Sequence, residues 1–235
     1  KIIPFKAVRP TRDKVGLIAS RSYESYSAKE KNARLRDNPF SFLHILNPGF
    51  KYQKRITGER RYTLVKNRYK EFKEEGSFTQ DKNPNFYFYK IINKDGHEFN
   101  GIIAGASALD YQNNVIRKHE NTLLKKEVLF EQYLKIVGFN SEPVLLTYPD
   151  NKDLKEILET AMQSRPEYEF TTTDKKRHEL WLINETKEIN EIINEFENLN
   201  NIYIADGHHR IASSSLFQKS NPKHENGNYF LSLFI

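Results

Sequence analysis

Ile202-Tyr203-Ile204-Ala205-Asp206-Gly207-His208-His209-Arg210 holds the densest chemistry in this chain. An apolar, β-prone run stops at Asp206-Gly207, and a helix-compatible run, Ile211 to Phe217, follows the two histidines and the arginine. This pattern predicts a strand, a tight turn and a helix start. Gly207 lets the chain turn and leaves room for a close ligand. The helix start offers free N–H groups and about half a positive charge. With His208, His209 and Arg210 as added donors, the expected occupant is a phosphate, and Asp206 is a candidate base or magnesium ligand. The plainer reading is a capped helix in which Asp206 accepts backbone N–H groups. Two adjacent histidines and an arginine beside a glycine turn have no common packing role, so the functional reading is preferred. Neighbouring helical residues point about 100° apart, which argues against one metal held by both imidazoles.

Lys118-His119-Glu120-Asn121-Thr122, with Lys126-Glu127, is the second candidate. It places His119, Glu120, Thr122 and Lys126 at or near a helix start. Glu120 is a candidate general base or magnesium ligand, and Lys126 a candidate phosphate partner. The alternative, an ordinary capped helix with surface charges, weighs equally on composition. A zinc-protease motif is excluded, because position 123 is Leu rather than His. In the third segment, Asn38-Pro39-Phe40-Ser41-Phe42-Leu43-His44, Asn38 and Ser41 are candidate substrate contacts, although a helix stop followed by a buried strand is preferred. Arg9 is a candidate anion contact near the N-terminus.

Elements that must position these residues follow from patterning. The segment Ile2–Pro10 reads as extended. Ser27-Ala28-Lys29-Glu30 is a capping box opening a helix through Arg36, and Asn38-Pro39 ends it. Phe42–Leu46 is expected to be a strand. Arg61–Glu75 has helical spacing, with Tyr62, Val65, Tyr69 and Phe72 on one face and Gly76 as cap. Phe86–Ile92 and Phe99–Leu109 flank Asn93-Lys94-Asp95-Gly96 as a hairpin, and Asp110-Tyr111 leads into a polar loop. Helices are expected at Leu123–Val137, Lys152–Gln163 and Glu185–Leu199, and strands at Val144–Tyr148, Tyr168–Thr173 and His178–Ile183. His178 and Trp181 face opposite sides of their strand, and Trp181 belongs to the core. The β-type run Tyr229–Ile235 stops abruptly, which is expected of the N-terminal part of a longer protein. The predicted fold class is α/β, a mixed α+β sheet with flanking helices in one domain (residues 1–235), with a possible sub-boundary near 150.

Bulk properties narrow the function classes. With 16 Phe and 13 Tyr, packing material is ample, and 29% charged residues predict a soluble chain. The net charge of +6 is interleaved with acids outside Lys51–Arg61 and Lys175–Arg177, so nucleic acid is not an expected partner although anions are. Absence of cysteine excludes disulfides, thiolate nucleophiles and cysteine metal sites. No apolar run is long enough to span a bilayer, and the cytoplasm is the default location. There is no phosphate-binding glycine loop of the Walker type, dinucleotide fingerprint, nucleophile elbow or zinc spacing.

Ile3–Pro10, Asn38–His44, Lys118–Thr122 with Lys126-Glu127, His178 with Leu180-Trp181, and Tyr203–Arg210 occur in this order. Together they resemble a prokaryotic family numbered one thousand and fifteen among the domains of unknown function, over nearly the whole chain. Members of that family are usually longer. Ser22-Tyr23-Glu24 stands where many members have Pro-Tyr-Asp. Asp206–Arg210 also resembles the phosphate-binding motif of the ParB/sulfiredoxin superfamily, whose free-serine kinase branch carries the same Asp-Gly-His-His-Arg. Sulfiredoxin chemistry needs a cysteine that this chain lacks. The resemblance implies phosphoryl transfer to a small hydroxylated metabolite such as free serine, with ADP or ATP and Mg²⁺ as cofactors. On that expectation Glu120, Asp206 and His119 are catalytic. Gly207, His208, His209, Arg210 and Lys126 bind phosphate; Asn38, Ser41, Thr122 and Arg9 bind substrate; Asp206 and Glu120 hold Mg²⁺. The competing expectations are a nucleotide- or anion-sensing module without turnover and a phosphatase of a phosphorylated hydroxy acid.

Overall fold

The computed structural model describes residues 1–235. Its strands are β1 (Ile2–Ile3), β2 (Val8–Pro10), β3 (Phe78–Gln80), β4 (Phe86–Ile92), β5 (Glu98–Ser107), β6 (Ile116–Arg117), β7 (Val144–Thr147), β8 (Tyr168–Thr171), β9 (Arg177–Ile183), β10 (Ile202–Asp206) and β11 (Tyr229–Phe234). Its helices are α1 (Val15–Ile18), α2 (Ala28–Asp37), α3 (Leu43–Leu46), α4 (Gly58–Glu74), α5 (Ala108–Gln112), α6 (Leu124–Val137), α7 (Lys152–Ala161), α8 (Thr186–Asn198) and α9 (His208–Ser220).

Local chemistry accounts for many of these elements. The Ser27 hydroxyl accepts from the Glu30 amide while Glu30 accepts from the Ser27 amide, so the predicted capping box opens α2. In α4, Val65 and Phe72 are fully buried at a helical spacing of seven, and Tyr62 and Tyr69 pack beside them. The hairpin β4–β5 pairs Tyr87 with Ile103 through Ile92 with Glu98 around the expected Asn93–Gly96 turn. On β9, Trp181 packs against Phe88 and is buried, while His178 stacks on Phe170 from the other face.

Two expectations fail. Phe42–Leu46 is helix α3 rather than a strand. The Ser41 hydroxyl accepts from the Leu43 amide, and Leu43 and Ile45 bury themselves beside α4. The strand expected to run through Leu109 ends at Ser107, and Ala108–Gln112 form α5, because the Ser107 hydroxyl accepts from the Asp110 amide at 3.3 Å. Short apolar runs carry no periodicity that separates the two states, so tertiary surroundings decide.

The main sheet has nine strands in the order β6-β10-β7-β11-β5-β4-β9-β8. The small strand β1 takes the edge of β5 beyond the reach of β4. Pairs β6–β10 and β7–β11 are parallel and the others antiparallel, which makes this the mixed α+β sheet expected from the sequence. Strands from both sides of position 150 share it. The main core lies between this sheet and α7, α8 and α9, through Leu154, Leu158, Ile192, Phe196 and Ile211. A smaller core of Ile45, Val65, Phe72 and Val137 joins α3, α4 and α6. No helix is long and apolar enough to cross a membrane.

Candidate functional site

Sheet topology assembles the site. β6 and β10 run parallel, with Ile116 opposite Ile202 and Arg117 opposite Tyr203. Residues following the two strands therefore leave at the same end, which brings Lys118–Glu120 beside Asp206–His208. β7 runs antiparallel to β10, with Leu145 opposite Asp206, so the residues preceding β7 enter at that same end. This convergence places Glu142 next to Arg210, and it cannot be read along the chain.

The turn itself departs from regular strand geometry. The register shifts between Ile204 and Asp206, leaving Ala205 as an extra residue in a β-bulge. Strict alternation would turn Asp206 inward; the bulge keeps it exposed alongside Ala205. Gly207 follows with φ 96°, a left-handed conformation that L side chains rarely adopt. A Cβ on Gly207 would lie 2.8 Å from the Arg210 Nε and 2.9 Å from its Nη2. The arginine folds back over the glycine at a distance only glycine permits.

Helix α9 then begins at His208, and Gly207 supplies no side-chain cap. The first amides of the helix consequently keep their donors free of intrahelical acceptors. The His208 side chain is 8% exposed. Its Nδ1 lies 3.7 Å from the Glu120 carboxylate, and its ring meets the edge of the His119 ring at 4.5 Å between centroids. His208 Nε2 and His209 Nδ1 are buried without a hydrogen-bond partner. Burial lowers the His208 pKa below its ordinary value; nearby His119 reinforces the shift, while Glu120 and Asp206 oppose it. The imidazole is therefore neutral at pH 7.

Arg210 lies between two carboxylates. Its Nη1 is 2.7 Å from Glu142 and its Nη2 is 2.5 Å from Asp206. Sequence reasoning found Asp206 but missed Glu142, whose only sequence hint is a carboxylate just before a strand. Of the five guanidinium N–H donors these two ion pairs use two, so three are left for a ligand.

Other residues singled out from the sequence fall elsewhere. Thr122, which precedes α6, donates to the carboxylate of Glu127 in the first turn of that helix, and the Lys126 side chain is exposed with no partner. Asn38 Nδ2 donates to the Leu17 carbonyl at 2.7 Å, its Oδ1 accepts from the Phe40 amide, and its carbonyl accepts from His44. Ser41 is fully buried. Arg9 binds Asp81, Glu167 and the Tyr168 hydroxyl. Each of these three is held by local or structural partners, and none of those partners belongs to the Asp206–Arg210 turn. The structure thus unites His119, Glu120, Asp206, Gly207, His208, His209 and Arg210, and does not bring Arg9, Asn38 or Ser41 to them. No group of three or more histidine or carboxylate side chains is arranged to hold a metal ion.

A comparison with curated proteins and one with solved structures each return no match. The family model described as "Protein of unknown function (DUF1015)" matches residues 2–235, and on that extent the chain belongs to this family.

Proposed function

We propose that the chain is a phosphotransferase that binds a nucleotide phosphate at the Gly207 turn and transfers a phosphoryl group to the hydroxyl of a small metabolite, free serine being the first acceptor to test. The reading is carried by His208: a neutral imidazole fixed at the first position of α9, with a carboxylate facing one nitrogen and no partner on the other. The free amides of the helix start, its dipole and the remaining donors of Arg210 suit phosphate oxygens.

Glu120 favours the tautomer that carries its proton on Nδ1 of His208. The lone pair on Nε2 is then the base, a division of labour familiar from carboxylate–imidazole pairs. In this scheme ligand binding opens the turn to Nε2, which is buried in the unliganded chain, and the acceptor O–H gives its proton to it. The acceptor oxygen forms a new bond to phosphorus, and the bond from phosphorus to the bridging oxygen of the nucleotide breaks. His208 replaces Glu120 as first choice of base, because Glu120 is mostly exposed and directed at the imidazole. Around the turn Asp206, Glu120 and Glu142 outnumber Arg210, so a bare phosphate meets repulsion. Asp206 and Glu120 are oxygen donors of the type Mg²⁺ takes, in the small number it uses when phosphates and waters complete its shell. When bound, Mg²⁺ would neutralise phosphate charge.

The test is to incubate the protein with Mg²⁺, labelled ADP or ATP, and free L-serine, and to follow transfer of label. His208→Asn is expected to retain nucleotide binding and to lose transfer by at least a hundredfold, the scale of a general base. Undiminished transfer in His208→Asn, or no transfer to serine or any other small hydroxylated acceptor, overturns the proposal.

A further inference from the structure

A cavity of about 630 Å³ lies at the N-terminal end of α4 and shares no residue with the Gly207 turn. Its volume is within the range of small-ligand sites. Lys54, Arg55 and Arg60 line it, and no carboxylate does. None of these three side chains forms an ion pair or a hydrogen bond within the protein. Three like charges facing one cavity repel each other and add nothing to folding. All three are exposed, and an anion among them would relieve that repulsion.

The segment that carries them has a defined shape. The Lys54 amide donates to the Gly49 carbonyl at 3.2 Å, and the Gln53 amide donates to the Phe50 carbonyl at 3.0 Å, with Gln53 itself left-handed at φ 50°. A side chain at Gly49 would collide with the Lys54 carbonyl oxygen, so this loop closes only over glycine. The Arg61 guanidinium donates to the Leu46 carbonyl at 2.9 Å and ties the start of α4 to the end of α3. Thr57, which also lines the cavity, precedes the first turn of α4 without capping it. The remaining wall is apolar: Ile56, Leu64 and the half-exposed ring of Tyr52.

Three cations and an aromatic ring lining one cavity suit a ligand that has both an anionic and a planar part. The geometry points to a binding site for a nucleoside phosphate, its phosphates among Lys54, Arg55 and Arg60 and its base on Tyr52. Stacking on the aromatic ring holds the base, and each lost charge-assisted contact weakens the phosphate end. This site stands whether or not the Gly207 turn performs phosphoryl transfer.

Titration calorimetry on the full chain tests it, with ADP and pyrophosphate as probes and Arg210→Ala as the background that silences the other site. In that background ADP is expected to bind one site. Adding Arg55→Glu and Arg60→Glu, both on exposed positions, is expected to weaken both probes at least a hundredfold while the thermal midpoint stays unchanged. Tyr52→Leu is expected to weaken ADP about tenfold or more and to leave pyrophosphate as it was. Charge-reversed protein that binds ADP normally overturns the site. Equal ADP binding by Tyr52→Leu overturns the ligand class. Tighter binding of a single-stranded oligonucleotide than of ADP, with a steep salt dependence, would make the cavity part of a nucleic-acid track and overturn the small-molecule reading.

Discussion

Gly207→Ala probes the turn most directly, because two separate costs can be worked from the geometry. The backbone at φ 96° is unfavourable for any L side chain, at about 1–2 kcal/mol. The added Cβ would also sit 2.8 Å from Arg210 Nε, 2.9 Å from Nη2 and 3.2 Å from Cζ. The guanidinium must shift, and its contacts at 2.5 Å to Asp206 and 2.7 Å to Glu142 loosen with it. Partly exposed ion pairs contribute about 0.2–1 kcal/mol each. The total is about 1.4–4 kcal/mol. For a chain of this size that lowers the thermal midpoint by roughly 3–16 °C. Scanning calorimetry measures the stability term, and a phosphate or ADP titration measures the site. Gly207→Asn separates the two contributions: Asn tolerates positive φ better but brings the same Cβ. Asn is therefore expected to recover part of the stability and none of the ligand affinity. A Gly207→Ala protein that melts within about 1 °C of the parent and binds phosphate equally well would refute the reasoning.

Arg210→Ala is expected to abolish phosphate and nucleotide binding at the Gly207 turn while circular dichroism shows the fold intact; an unchanged titration in a protein with Lys54, Arg55 and Arg60 neutralised counts against the site. Glu142→Gln removes one of two carboxylates facing Arg210 and frees a guanidinium edge, so inorganic phosphate is expected to bind several-fold tighter; weaker binding would show that Glu142 orients Arg210 rather than competing with the ligand. His44, His178 and His208 all have pKa values lowered by burial. The unfolded chain then binds more protons than the native one at mildly acidic pH, so stability is fully present above about pH 6.5 and declines as pH falls below it. A urea midpoint that rises between pH 7 and pH 5 would contradict this. The single tryptophan, Trp181, is 5% exposed, packs on Phe88 and donates its indole N–H to the Ser164 carbonyl at 2.9 Å. Its emission is expected to be blue-shifted in the native state, and Trp181→Ala to cost about 3–5 kcal/mol by denaturant unfolding; a loss below about 1 kcal/mol would remove it from the core.

Several features were legible from residues close in sequence. The Ser27–Glu30 capping box, the apolar face of α4, the Asn93–Gly96 hairpin and the strand–turn–helix at Ile202–Phe217 each depend on interactions spanning a few residues, and the chain carries their patterns openly. The donor types at Asp206–Arg210 were equally visible. Phe42–Leu46 and Ala108-Leu109 were misread because short apolar runs fit either state until their neighbours are known.

By itself the sequence determined which side chains with chemical potential exist, and which of them must share a turn or one helix face, since these follow from backbone geometry over a few bonds. Tertiary structure alone decided their company. The parallel register of β6 with β10 set His119 and Glu120 against His208, and the antiparallel entry of β7 delivered Glu142 to Arg210. Strand order and register are settled by the burial of the whole sheet, a sum over distant residues, and no local run encodes that sum.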